Sequence, residues 1–439
     1  MDPLKSMYQM THKMNKFEDL YNLLWRHHID HKLERKHYHN ISIGLFNIPC
    51  GGFGDIIVTK TFHDYLKQWY PSAKITICTT GPDKFKSLGL STRNIVELKA
   101  IQVWDEEEGS ECQSYDNLKF KKKPNKFDLM IAIPIINDPF EIKKFKKLVP
   151  YANVFNTFSV SEYNGEAPPY TFPIGVGRGQ LGLLMNDFKI KQQNLIKKPY
   201  ALVYIQPSPN WGVHSKYCFL SYLEMICKIY GKKHKKFQVV IPQWVEDEIN
   251  SNKDFLNKLI KISSKAYEKI SLQTNNTLIR TLHSGKLPKS EIIFRSDILP
   301  QKREIFISLM KDSVRDILVT GDQSLTDILS CCKRKRVWYQ IAPWKHGLAR
   351  NLEKHLPNKY YGSFKTSCGT IKTIDVDIDW RSFMKQYDFR IHGRKRMDAI
   401  LVGNYHFKEN KEFHKLLSII EHSRYLETAQ KKIKKLLNK

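Results

Sequence analysis

Apolar positions along the chain fall into short β-branched runs separated by stripes at helical spacing, the alternation expected of a parallel α/β sheet. Ile41 to Ile48 is the first such run and predicts a strand, followed by a glycine turn and an amphipathic helix to about Tyr70. Ala73 to Thr79, Asn94 to Leu98 and Phe127 to Pro134 predict three more strands, with Lys119 to Lys126 a basic loop. The order strand, helix, strand implies right-handed crossovers between parallel strands. Residues 165–182, rich in Gly and Pro, read as a loop, and 189–198 as a polar linker.

After the linker the alternation restarts. Strands are predicted at Tyr200 to Gln206, Phe237 to Ile241, Glu291 to Phe294, Asp316 to Thr320 and Arg336 to Ile341. Helices are predicted at Tyr217 to Tyr230, Gln301 to Lys311, Ser324 to Cys331 and Trp344 to His355, with a lysine-rich insertion between about Asn250 and Lys289. The boundaries that follow are a basic helical extension over 1–40, an N-terminal domain over 41–190, a C-terminal domain over 199–408 and a C-terminal helix over 409–439. Five histidines lie between His27 and His39; His27 and His31 share a helix face, but with no carboxylate or cysteine partner in reach they read as a solvated face.

Composition narrows the class. No window approaches the ~20 apolar residues that span a bilayer, and Met1 to Asn15 lacks the apolar centre of a secretory signal, so a soluble chain is expected. Eight cysteines, with no C-x-x-C pair, point to a reducing compartment; the cytoplasm is the expected location, a host cell's if the source is a pathogen or virus. Cys331 and Cys332, adjacent near a helix end, read as core residues. Against this ordinary background, 72 Lys and Arg face 44 Asp and Glu, a formal charge of +28. An acidic partner is implied: a phosphorylated small molecule, an anionic membrane surface or nucleic acid. The interleaving of aromatic and basic residues that makes a base-stacking platform is concentrated nowhere, which disfavours nucleic acid.

Two turns carry candidate chemistry. Gly51-Gly52-Phe53-Gly54-Asp55 joins the first strand to its helix, where glycines admit a ligand to the backbone and the helix N-terminus favours negative charge. Asp55 would be held ionised there by the helix dipole. The motif is not G-x-G-x-x-G, and no acidic residue ends the second strand, so NAD binding is disfavoured. Gly321-Asp322-Gln323-Ser324 forms a second such turn, whose amides suit a diphosphate, with Ser324 donating a hydroxyl and Asp322 or Gln323 reaching a ribose or sugar hydroxyl. Lys216 and Lys345 are candidate phosphate ligands, and Trp211, Trp338, Tyr339 and Trp344 candidate stacking partners, Trp338 and Tyr339 being more suited to the core of a central strand.

The run Gly52-x-Gly54-Asp55, with its helix ending Leu66-Lys67-x-x-x-Pro71-x-Ala73-x-Ile75, resembles the opening of the family 9 heptosyltransferases. Asn47 through Ile56, and Gly321 to Ser324 followed by Val337 to Pro343, are similar to segments of the protein-arginine rhamnosyltransferases. The resemblance covers about a quarter of the chain and implies a GT-B-like α/β fold, two Rossmann-like domains facing across a cleft; the helical N-terminal extension, the lysine-rich insertion and the C-terminal helix depart from the families. It further implies an inverting, metal-independent glycosyltransferase in which Asp55 is the general base, Gly51, Gly52 and Gly54 shape the acceptor turn, and Lys216, Gly321 to Ser324 and Lys345 hold a nucleotide diphosphate sugar. No metal or other cofactor is expected; the acceptor is a protein or a glycan. Gln323 departs from the rhamnosyltransferase pattern, which prefers an acid there. A rival motif, Asp375-Val376-Asp377-Ile378-Asp379, has the form of a metal-binding Asp-x-Asp but lies after both nucleotide-like halves, where an exposed strand face is the simpler reading. The alternative function is a non-enzymatic nucleotide-fold protein whose basic surface binds nucleic acid or anionic membrane.

Overall fold

A computed structural model of the chain describes residues 41–49, 53–105, 110–122, 124–135, 157–165, 171–186, 195–197, 199–207, 212–274, 279–332, 334–342, 346–375, 385–409, 419 and 426–437. The N-terminal extension and most of the linker lie outside the described residues. The chain divides into two compact units, the first comprising Met1–Val103, Glu111–Gly182 and Asp388–Lys439, the second Trp104–Ser110 and Leu183–Tyr387. Both are Rossmann-like, each built on a largely parallel open sheet with helices.

In the first unit β1 (Ser42–Asn47) leads into α1 (Gly54–Trp69), then β2 (Lys74–Thr79), α2 (Pro82–Ser87), β3 (Ile95–Asp105), β4 (Ser110–Phe120), β5 (Leu129–Ile135), β6 (Thr157–Ser161) and β7 (Thr171–Phe172). The strand order is β4-β3-β2-β1-β5-β6-β7. β1 pairs in parallel with both β2 and β5, so the order of strands reverses beside β1. Every residue of β1 after Ser42 is buried, as expected for a central strand covered on both faces. β1 therefore reads in the sequence as a mostly apolar run, ending in the buried polar Asn47. β4 was not foreseen: its sequence, SECQSYDNLKF, has the polarity of a loop and pairs at the sheet edge.

The second unit runs β8 (Tyr200–Tyr204), α3 (Gly212–Tyr230), β9 (Lys236–Val240), α4 (Gln243–Ser251), α5 (Lys253–Ser263), β10 (Lys269–Gln273), β11 (Ile279–Ser284), β12 (Glu291–Arg295), α6 (Arg303–Asp312), β13 (Asp316–Thr320), α7 (Asp322–Cys331), β14 (Arg336–Gln340), α8 (His346–His355), β15 (Tyr361–Thr366) and β16 (Gly369–Asp375). Its strand order is β11-β10-β12-β9-β8-β13-β14-β16-β15. The six strands from β10 to β14 are parallel, and the outermost are antiparallel. Here the order reverses between β8 and β13. The lysine-rich stretch after residue 250, expected as a helical insertion, holds the helix α5 but also two strands of the sheet: β10 sits between β11 and β12, with Ile270 and Leu272 buried and lysine only at its margin. β10 holds only two apolar residues, too few to stand out against the surrounding charge.

After the second unit the chain rejoins the first through α9 (Phe389–Glu409) and α10 (Leu426–Leu437). The sequence boundaries assigned residues up to 408 to the second domain; the aromatic residues account for the difference. Phe389 is fully buried with ring centroids 5.7 Å from Phe62, 6.2 Å from Tyr65, 6.3 Å from Trp69 and 6.4 Å from Phe172. Gly393, one turn on, leaves room for the Phe389 ring, which a β-carbon there would meet. Tyr70 closes the contact by donating its hydroxyl to Asp398 at 2.6 Å. Phe389→Ala is expected to lower the stability of the first unit by about 3–5 kcal/mol, the usual cost of emptying a buried aromatic site. Urea unfolding monitored on that unit, with the second unit's transition unchanged, checks it.

Candidate functional site

Parallel α/β sheets present their ligand crevices outside the carboxyl ends of the strands, where strand order reverses. In the first unit that point lies at the ends of β1 and β5, and the turn carrying Gly54 and Asp55 leaves β1 there. Gly51 and Gly52 lie outside the described residues. Phe53 is the N-cap of α1 and offers no side-chain acceptor to the first-turn amides. Gly54 is exposed and Asp55, in the first turn, is half-buried. The helix thus opens toward the crevice without a side-chain cap from Phe53 and with the Asp55 carboxylate in its first turn.

What fixes this turn is a residue to which the sequence reading gave no role. Asn47, fully buried at the end of β1, donates its amide to the Ile133 carbonyl at 2.9 Å, to the Thr59 hydroxyl at 3.0 Å and to the Asp55 carbonyl at 3.4 Å. Its oxygen accepts from the Thr79 hydroxyl at 3.4 Å, and Thr79 in turn accepts from the Gly81 amide at 3.0 Å. One side chain therefore ties together the ends of β1, β2 and β5 and the first turn of α1. An amide side chain is suited to this because it donates and accepts at once.

The second unit repeats the device. Gln340, buried at the end of β14, accepts from the Gln206 amide at 3.2 Å and donates to the Ser215 hydroxyl at 2.9 Å. Ser215 donates to the Gln206 carbonyl at 2.9 Å, and Thr320 to the Gln340 carbonyl at 2.9 Å. The ends of β13 and β14, the exit of β8 and the start of α3 are held in one network. Gly321 leaves β13 with φ 86 and ψ 131, a backbone conformation open to glycine, and caps α7 without a side chain. The Leu325 amide bonds the Gly321 carbonyl at 3.0 Å, closing the first helical turn.

The predicted donor residues separate on inspection. Gly321 and half-buried Ser324 are placed at the turn as expected. Asp322 is buried and accepts a hydrogen bond from the Tyr339 hydroxyl. Gln323, also buried, donates to Asp327 at 2.9 Å and to the Leu184 carbonyl at 3.3 Å, and Asp327 is held by Arg303 at 2.9 Å. The amide nitrogen of Gln323 thus supports the turn from beneath. Lys216, in the first turns of α3, pairs with Glu248 of α4 at 2.8 Å. Lys345, Trp211 and Trp344 lie outside the described residues. Trp338 is core, its indole donating to buried Asp316 at 2.9 Å. Trp244, which the sequence reading passed over, reaches the exit of β8 and donates to the Ile205 carbonyl at 2.8 Å.

Of the rival acidic motif, Asp375 ends β16 beside the first residue of β14 and pairs with Arg315 at 2.6 Å. It sits at the edge where the parallel strands begin, opposite the Gly321 turn; Asp377 and Asp379 lie outside the described residues. Cys332 is buried, which pushes its thiol up to about 12 and leaves it protonated at neutral pH. Among the described residues no helix is long and apolar enough to cross a membrane, and no cluster of three or more His, Cys, Asp or Glu is placed to hold a metal ion.

No protein-family model matches the chain, and no curated protein matches it.

Two outcomes follow from the turn geometry. Asn47→Ala is expected to cost about 1–3 kcal/mol, because the Ile133 carbonyl loses a buried donor. Gly321→Ala is expected to cost about 1–3 kcal/mol, because alanine strains at that backbone conformation. Chemical denaturation of each variant, resolved by unit, measures both.

Proposed function

We propose that this protein is a glycosyltransferase of the GT-B kind, which transfers a sugar from a nucleotide diphosphate donor to a protein or glycan acceptor. The observation that carries the reading is that both glycine-and-acid turns singled out by sequence stand where strand order reverses, one in each Rossmann-like unit. The reading gives one reactant to each unit. The Gly321 turn receives the diphosphate: the amides at the start of α7, whose N-cap Gly321 has no side chain to cap them, supply donors and a favourable dipole, and Ser324 adds a hydroxyl. Asp55 receives the acceptor and takes the proton from its nucleophilic oxygen or nitrogen as that atom attacks the anomeric carbon. The departing diphosphate carries the developing negative charge, which preorganised amides stabilise without rearranging. No metal or further cofactor is required by this scheme.

The buried environment of Asp322 bears on specificity. With its carboxylate engaged by Tyr339 and Gln323 turned toward Asp327, recognition at this turn falls to backbone amides and Ser324. Backbone recognition selects a phosphate without selecting a sugar, so sugar choice must come from residues elsewhere in the second unit.

Thermal melting with a panel of nucleoside diphosphates and their sugars, with and without EDTA, tests the donor assignment. A ligand present at ~100 times its dissociation constant is expected to stabilise the folded protein by about 2.7 kcal/mol. Asp55→Asn is expected to keep that stabilisation and to lose about 10²–10⁴ in turnover of the acceptor. Loss of nucleotide binding in Asp55→Asn, or stabilisation that survives alteration of the Gly321 turn, contradicts the division of roles.

A further inference from the structure

The excess positive charge of the second unit is not at its candidate donor turn. Because six of its strands are parallel, all loops that enter them lie along one edge of the sheet and all loops that leave them lie along the other. The described residues of the entering loops, 195–197, 199, 231–235, 264–268, 285–290, 313–315, 332 and 334–335, contain ten Lys or Arg and one acid, Glu268. The described residues of the leaving loops, 205–207, 241–242, 274, 296–302, 321 and 341–342, contain one Lys, Lys302, and one acid, Asp297. A lysine-rich composition spread over every exposed surface would not produce that difference.

Some of these charges are used internally. Lys335 is buried and donates to the Val314 carbonyl at 3.0 Å, and Arg315 pairs with Asp375. Lys197, Lys232, Lys235, Lys265, Lys286 and Lys289 are instead exposed and make no ion pair with a described carboxylate. Backbone pairing keeps them together: Lys269 lies opposite both Ser284 and Glu291, and Glu291 opposite Lys236. The amide of Lys269 donates to the Ser290 carbonyl, which holds the 285–290 loop against the start of β10.

Two exposed leucines stand among these lysines. Leu287, between Lys286 and Lys289 at the tip of the β11–β12 loop, is 86% exposed, and Leu195, beside the start of β8, is 45% exposed. The aromatic residues of the same edge are unavailable for stacking on bases. Tyr230 and Tyr267 are buried, Tyr230 stacks on Phe237 at a centroid distance of 5.5 Å, and His234 lies beside both at 6.2 and 5.9 Å. Lysines surrounding protruding aliphatic side chains match the layered chemistry of an anionic bilayer, with phosphate at the surface and acyl chain just beneath.

We propose that the strand-entering edge of the second unit is a docking surface for anionic lipid bilayers, with Leu287 entering the interface and the surrounding lysines meeting lipid phosphates. The surface is separate from the candidate donor turn, at the opposite edge of the same sheet, so a docked protein keeps the strand-leaving edge clear of the lipid.

Sedimentation of the full chain with vesicles of phosphatidylcholine, alone or with about a third phosphatidylserine, at about 0.15 M salt tests this directly. Binding is expected only to the anionic vesicles and is expected to weaken as salt rises. The variant Lys232→Glu, Lys235→Glu, Lys286→Glu, Lys289→Glu is expected to lower the partition coefficient about tenfold or more, and Leu287→Asp to lower it without four charge reversals. A matched variant reversing Lys431, Lys432, Lys434 and Lys435 on α10 is expected to bind like the parent; melting curves establish that each variant is folded. Equal binding to neutral vesicles, or loss of binding in the α10 variant with none in the edge variant, overturns the proposal. So does the absence of vesicle binding where an oligonucleotide binds through the same four edge lysines.

Discussion

The structure depends on a constraint of parallel sheets: where the order of strands reverses, two neighbouring loops leave in opposite directions and expose the strand ends between them. Those ends carry backbone groups that must be satisfied, and here a buried amide side chain does so in each unit. Asn47 joins β1, β2, β5 and α1; Gln340 joins the end of β14 to the exits of β8 and β13 and to the start of α3. With the strand ends tied together, the first turn of α1 and the strand beside Gly321 are held by side-chain hydrogen bonds. Helix amides directed at a ligand act strongly only when they need not reorganise, so the networks beneath the turns are what give the proposed chemistry its physical basis.

The same sheet direction separates two kinds of electrostatics. At the strand-leaving edge of the second unit, helix dipoles supply positive potential: the N-terminus of α7 has no side-chain cap from Gly321, and Lys216 is already paired with Glu248. At the strand-entering edge, exposed lysines supply it. A small diphosphate suits the former, since backbone amides approach it at short range, whereas an extended anionic surface suits the latter. Net charge alone, +28 over the chain, does not distinguish these uses; topology does.

Much of this was legible in the sequence. The central strands appeared as apolar runs because burial on both faces removes the polar alternation, and Asp316 to Thr320 was delimited to the residue. Both turns were found because glycine beside an acid at a strand-to-helix junction is a local signal. Features that depend on distant residues were not legible. Asn47 gives no local sign that its partners lie at Thr79 and Ile133, and Lys216 none that Glu248 stands opposite. β4 was hidden by its polarity and β10 by the lysines around it. The return of α9 to the first unit rests on Phe389 meeting rings more than two hundred residues away, which no periodicity reveals.

The central claim is that a nucleoside diphosphate sits on the amides of the Gly321 turn, and hydrogen exchange read by mass spectrometry tests it most directly. Addition of the stabilising diphosphate is expected to slow exchange in peptides covering residues 321–325 and the start of α3, while peptides covering the strand-entering loops at 231–235 and 285–290 stay unchanged. Protection confined to those basic loops, with none at residues 321–325, would contradict the account.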